Sequence, residues 1–128
     1  MPGSCKYPDM KLTRVVLDLL AATEPTAQEW QPFWPGIERR VVYEQEGGGA
    51  AALLRYQPGA KTPPHRHAGL EHIYVLRGSQ RDERGLYGAG TLVVNEPGST
   101  HQVTSDDGCI VLVIWQKPVE VLGARAGA

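Results

Sequence analysis

Cys109-Ile110-Val111-Leu112-Val113-Ile114-Trp115 is an unbroken apolar run of the length of one strand. A strand with no polar face is expected to be covered on both sides. In an antiparallel protein of this size that means a closed or two-sheet barrel, and it favours a jelly roll. The residues around the run agree. Asp106-Asp107-Gly108 supplies a turn with a glycine for the left-handed position, and Gly78-Ser79 and Gly47-Gly48-Gly49 read as further hairpin turns. The chain's 15 glycines and 10 prolines separate short runs of Val, Ile, Leu, Tyr and Thr, which leaves no room for long helices. The pattern predicts strands over residues 13–20, 37–45, 50–57, 71–77, 80–84, 91–94, 101–105 and 109–115. Residues 25–36, with Trp30, Phe33 and Trp34, read as an irregular aromatic segment that packs across the barrel or into a partner subunit.

With 128 residues, of which 41% are hydrophobic and 21% charged, the chain makes one globular domain with a core that needs no disulfide. The barrel is expected over residues 13–117, between a flexible N-terminus (1–12) and a flexible tail (118–128). A net charge of −1, with the basic residues scattered, argues against nucleic acid as a main partner. The stretch from Lys11 to Ala22 is basic then apolar, but Asp18 interrupts it and no run is long enough to span a bilayer. A cytoplasmic location is therefore expected, with no membrane partner. Cys5 and Cys109 lie too far apart in sequence to form a disulfide framework, and Cys109 reads as a small buried hydrophobe.

All four histidines fall between positions 65 and 101. His65-Arg66-His67 sets two imidazoles on one face of an extended segment. Glu71 can return to the same cavity from the next strand, and His101 from a later antiparallel one. Three nitrogens and a carboxylate oxygen around one point make a site for one divalent ion: iron, manganese, nickel, copper or zinc. One or two positions are left for water, substrate or dioxygen. His72 follows Glu71 and by alternation points away from it, as an outward residue or a helper behind the ligands. A bulge that reversed the face would let it replace Glu71. Ile73 and Val75, in phase with Glu71, would give an apolar pocket wall or simply core. Among Arg55, Tyr56 and Gln57, whichever faces inward could hold an anionic oxygen of a substrate, and Arg55 is the candidate by chemistry.

Gly59-x5-His65-x-His67-x3-Glu71-x6-Gly78 matches the first motif of the cupin superfamily at every position, and Gly90 through His101 resembles the second. The second has one extra residue between Gly90 and Pro97, and Ser105 stands where the general pattern has asparagine. Pro97-Gly98-Ser99-x-His101, Asp82-Glu83, Tyr87 and Gly108-Cys109 resemble the ChrR-type subgroup, which includes anti-sigma-factor domains and small dioxygenase-like proteins. The likeness extends weakly upstream to Trp30-Gln31-Pro32 and Pro35 through Arg39. It implies a jelly-roll cupin with His65, His67, Glu71 and His101 as ligands.

Two functional classes follow from the resemblance. One is a mononuclear non-haem dioxygenase-like oxidoreductase, iron-dependent, acting on a small carbonyl, diketone or phenolic compound. The other is a zinc-holding sensor or regulatory module, although only about a dozen residues precede the first expected strand, so a sigma factor would need a different surface from the family's helical domain. A metal-dependent isomerase or lyase of a keto acid or sugar would use the same ligands. The expected partner is a small molecule, and the apolar edges and the aromatic segment offer material for a homodimer.

Overall fold

Side-chain alternation along two long strands builds the core. The computed structural model describes residues 30–123, together with Val15 and Leu19. Twelve strands occupy the described residues, and no helix occurs among them. They are β1 (Gln31–Trp34), β2 (Ile37–Glu44), β3 (Ala50–Tyr56), β4 (Ala60–Lys61), β5 (His65–His67) and β6 (Glu71–Asp82). There follow β7 (Gly85–Gly88), β8 (Leu92–Asn95), β9 (Thr100–His101), β10 (Thr104–Ser105), β11 (Cys109–Trp115) and β12 (Val119–Val121). The large sheet runs β1-β2-β3-β11-β6-β10-β4, with β7 and β8 also pairing to β6, and a small sheet runs β12-β5-β9. All strand pairings among the described residues are antiparallel. The result is the jelly-roll barrel that the sequence predicts.

The decisive run behaves differently from its reading. Cys109, Val111 and Val113 of β11 are buried, whereas Ile110 and Leu112 are half-buried and Ile114 is 38% exposed. So β11 has one inner face, and its apolar outer face joins Tyr74, Leu92 and Val94 on the neighbouring strands. The sheet curls to close the barrel, and its outer face is covered in part, since Leu53 and Ala51 of β3, the partners of Leu112 and Ile114, are buried. Inside, Val111 pairs with Val75 across β11 and β6, both at 0% exposure. Each buried valine contributes about 1.5–3 kcal/mol relative to exposure. Ile37, Leu54, Tyr56, Ile73 and Val103 complete the core around them. Ile73 also borders the cavity described below, while Val75 is pure core.

Three sequence expectations change. Gly78-Ser79 is not a hairpin turn: β6 runs through it, and the reversal falls at Glu83-Arg84, between the paired Asp82 and Gly85. The positive φ of Gly78 (72°) serves instead a bulge, where the β6–β11 register slips between Ile110 and Val111. The tail does not begin at 118. Val119–Val121 pair with His67, Arg66 and His65, because β5 would otherwise leave one edge unpaired. The aromatic segment is partly regular, with Gln31–Trp34 forming a hairpin with β2. The expected strand at residues 13–20, apart from Val15 and Leu19, and the expected flexible segments at 1–12 and 124–128 lie outside the described residues.

Candidate metal centre

His65 and His67 share one face of β5, and their intervening Arg66 points away to pair with Glu120 at 2.9 Å. His101 on β9 lies directly opposite His65 in the antiparallel register. The ligand atoms of the three imidazoles fall within 4.8 Å of one another, and all three residues are buried.

Tautomers follow from what the other ring nitrogen meets. His65 Nδ1 donates to Pro63 O at 2.9 Å, and His101 Nδ1 donates to Asp82 Oδ2 at 2.9 Å. His67 Nδ1 faces Ser99 O at 3.1 Å and Ser99 Oγ at 2.9 Å. That hydroxyl donates its own proton to Glu96 O at 2.6 Å, so it can only accept from the imidazole. All three Nδ1 atoms therefore carry the proton, and each Nε2 turns a lone pair inward.

These lone pairs are crowded. His65 Nε2 and His101 Nε2 are 3.0 Å apart. His67 Nε2 lies 2.9 Å from Glu71 Oε1, yet it is enclosed and has no hydrogen bond. Acceptor facing acceptor at such distances repels, and a buried acceptor without a donor costs about 1–3 kcal/mol. A cation between them removes both penalties, so these residues fit a metal ion.

Glu71 begins β6, where register puts Asn95 of β8 on one side and Trp115 of β11 on the other. Asn95 Nδ2 donates to Glu71 Oε1 at 2.9 Å and Trp115 Nε1 to Oε2 at 2.7 Å. Burial alone would raise the Glu71 carboxyl. Hydrogen bonding outweighs it, with the Asn95 amide among the donors, and holds the group below its ordinary value, so it remains a carboxylate. The same reasoning covers Asp82. Burial would raise it, but His101, the Arg84 amide and Tyr87 hold it down. Burial dominates at His65, which is held below its ordinary value and stays neutral, as a ligand must be.

Asp82 orients His101 and raises its donor strength. Asp82→Asn is expected to weaken metal binding about 10–100-fold while leaving the fold intact. Competition against a chelator of known affinity measures this, and an unchanged constant would remove Asp82 from the site.

The structure separates the remaining candidates. His72 alternates to the outer side of β6 and does not join the cluster. Arg55 does not face the cavity either. It sits between the buried Leu54 and Tyr56 of β3, so its side chain lies on the outer face, where it pairs with Glu38 and covers the Trp30 ring at 4.2 Å. Tyr56 is the inward member of that trio and lines the cavity. Its hydroxyl is raised well above its ordinary value, by burial first and then by Cys109 and Glu71. Burial likewise pushes the Cys109 thiol up to about 11, so it is no nucleophile. Asn95 and Trp115 escape sequence reading because only strand register brings them to the ligands, whereas Ser99 lies in the turn before β9, inside the Pro97-Gly98-Ser99-x-His101 motif, and reaches His67 through that turn's bonds to β5.

The cavity beside His65, His101 and Glu71 holds about 20 Å³, room for about one water molecule. Trp34, Trp115 and Val119 close it, with the Trp34 ring stacked on His65 at 5.9 Å.

Comparison with known proteins shows the family and the fold. A family model described as ChrR Cupin-like domain matches residues 20–119. The anti-sigma-E factor ChrR of Cereibacter sphaeroides is 32% identical over 93 residues, covering 70% of this chain and 43% of that protein. The chain thus spans less than half the length of the curated relative. The solved complex of Rhodobacter sphaeroides SigE with the anti-sigma ChrR superposes with a TM-score of 0.66 at 26% identity, covering 75% of this chain and 54% of that one. An acetylacetone dioxygenase from Acinetobacter johnsonii reaches a TM-score of 0.72 over 86% of this chain and 78% of its own, at 15% identity, a likeness of fold.

Proposed function

The chain belongs to the ChrR cupin-like domain family, and from that premise we propose that it is a mononuclear metal oxidoreductase of the dioxygenase type, acting on a small carbonyl, diketone or phenolic compound. His65, His67 and His101 hold the ion, with Glu71 as fourth donor. The observation that carries the reading is a set of three buried imidazoles whose Nδ1 atoms face oxygen acceptors and whose Nε2 atoms converge on one point. Three imidazoles and a carboxylate leave room for further donors on an ion that accepts five or six, which suits iron.

When bound, the ion supplies Lewis acidity and a place for dioxygen or an enolate oxygen. The chain's own residues do the rest. Asp82, Ser99 and the Pro63 carbonyl hold the imidazoles in one tautomer. Asn95 and Trp115 fix the Glu71 carboxylate and keep it from rotating. Trp34, Trp115 and Val119 exclude bulk water.

A second reading rests on the anti-sigma relative and its sigma-factor complex: a regulatory module that holds zinc for shape and binds a protein partner. Elemental mass spectrometry on protein purified anaerobically without added metal separates the two. Near-stoichiometric iron, with oxygen uptake on adding a small diketone or phenol, is the expected result. Stoichiometric zinc without oxygen uptake, together with capture of a sigma factor, would transfer the assignment to the regulator.

A further inference from the structure

A groove of about 500 Å³ lies outside the metal cavity, within the usual range for a small-molecule site. Phe33, Trp34, Trp115 and Val119 give it apolar and aromatic walls. Trp34, Trp115 and Val119 line the metal cavity as well, so one layer of side chains divides the two spaces. That layer touches the ligands directly, because Trp34 stacks on His65 and Trp115 donates to Glu71.

The groove also contains an unanswered cation. Arg39 lines it, with Cζ 5.0 Å from the centre of the Phe33 ring. Its Nε is enclosed and has no hydrogen-bond partner among the described residues. Glu44 is the other charged side chain of the lining, but it is exposed, and no ion pair joins it to Arg39 among the described residues. A guanidinium N–H shut away from water without an acceptor is costly. The enclosed Nε stays out of a ligand's reach, but the terminal nitrogens of Arg39 can take a planar anion with two parallel hydrogen bonds, and the aromatic walls suit an anion carried on a flat apolar body.

We propose that this groove binds a small aromatic monocarboxylate, with Arg39 holding the carboxylate and Phe33, Trp34 and Trp115 enclosing the ring, at the entrance to the metal cavity. The proposal rests on the proposed function only for the groove's role as an entrance, and it names the ligand class that this entrance selects.

Cinnamate is the probe, with cinnamamide as its neutral counterpart, titrated by calorimetry and tryptophan fluorescence into metal-depleted and metal-loaded protein. Cinnamate is expected to saturate one site, cinnamamide to bind at least about tenfold more weakly, Arg39→Gln to lose about tenfold in affinity and Arg39→Lys to lose less. Metal depletion is expected to leave cinnamate binding in place, since Arg39 is not a ligand. No saturable binding to the wild type, or equal affinity for acid and amide, overturns the proposal whether or not Arg39→Gln folds. Cinnamate binding to a protein shown to hold no metal would keep the groove assignment and remove the proposed function. Stoichiometric iron with no cinnamate binding would do the reverse.

Discussion

His101→Ala is expected to lose stoichiometric metal and with it every metal-dependent activity. The residue supplies one of three converging nitrogens, so the loss should exceed the roughly 10–100-fold that follows from removing a ligand's hydrogen-bond partner. Stability gives an independent measure. A metal present at about a hundred times its dissociation constant adds about 2.7 kcal/mol to the wild type, which for a domain of this size is roughly 10 °C in Tm. The variant should show no such shift when metal is added. Its metal-free form should melt near the metal-free wild type, because two changes offset each other. Truncation relieves the lone-pair contact with His65, and it removes the hydrogen bond to Asp82 Oδ2, while Asp82 Oδ1 keeps the Arg84 amide and the Tyr87 hydroxyl. His72→Ala is the matched control: it removes an imidazole from the outer face of the same strand as Glu71 and should change neither metal content nor the shift. Full metal binding by His101→Ala, or its loss in His72→Ala, would refute the site as drawn.

The contrast between His101 and His72 shows how far sequence reaches. The spacing of His65, His67 and Glu71 is local, and two-residue alternation suffices to place the first two on one face and His72 on the other. His101 is 34 positions from His67, so its arrival depends on an antiparallel pairing that the residue types suggest and the likeness to a known motif supports. Register decided everything behind the ligands. Asn95 and Trp115 flank Glu71 because β8 and β11 are paired to β6 in that phase and not one residue off, and no neighbour in sequence reports that. Arg55 shows the limit of chemistry without register. Its charge suits an anion, but Leu54 and Tyr56 on either side claim the interior, and alternation leaves the guanidinium outside, the commoner fate of an arginine. Arg39 is in phase with the buried Ile37 on β2.

Gly78→Val should have the largest effect on the fold itself. A Cβ at this position would lie 2.2 Å from Gly108 O and 2.9 Å from Cys109 Cα, both backbone atoms that no rotamer change can move. The φ of 72° adds a left-handed penalty of about 1–2 kcal/mol for a branched side chain. Together these are expected to cost about 3–5 kcal/mol, a large part of a domain's usual 5–15. Two further glycines separate the causes. Gly59 has a φ of 85° and open space, so Gly59→Val should show the backbone penalty alone. Gly88 has open space and no unusual φ, and Gly88→Val should be near neutral. Melting temperatures in the order Gly88→Val, Gly59→Val, Gly78→Val, from highest to lowest, are expected. If Gly78→Val melted with Gly59→Val, the close approach to the β10–β11 turn would carry no weight. The consequence reaches the metal centre. The bulge beside Gly78 lets one strand pair with β11 and β8 at its start, where Glu71 faces His67, and with β7 and β10 at its end, where Asp82 receives the His101 proton. A Gly78→Val protein that still folds should therefore bind metal more weakly, because straightening β6 cannot keep both carboxylates on their imidazoles.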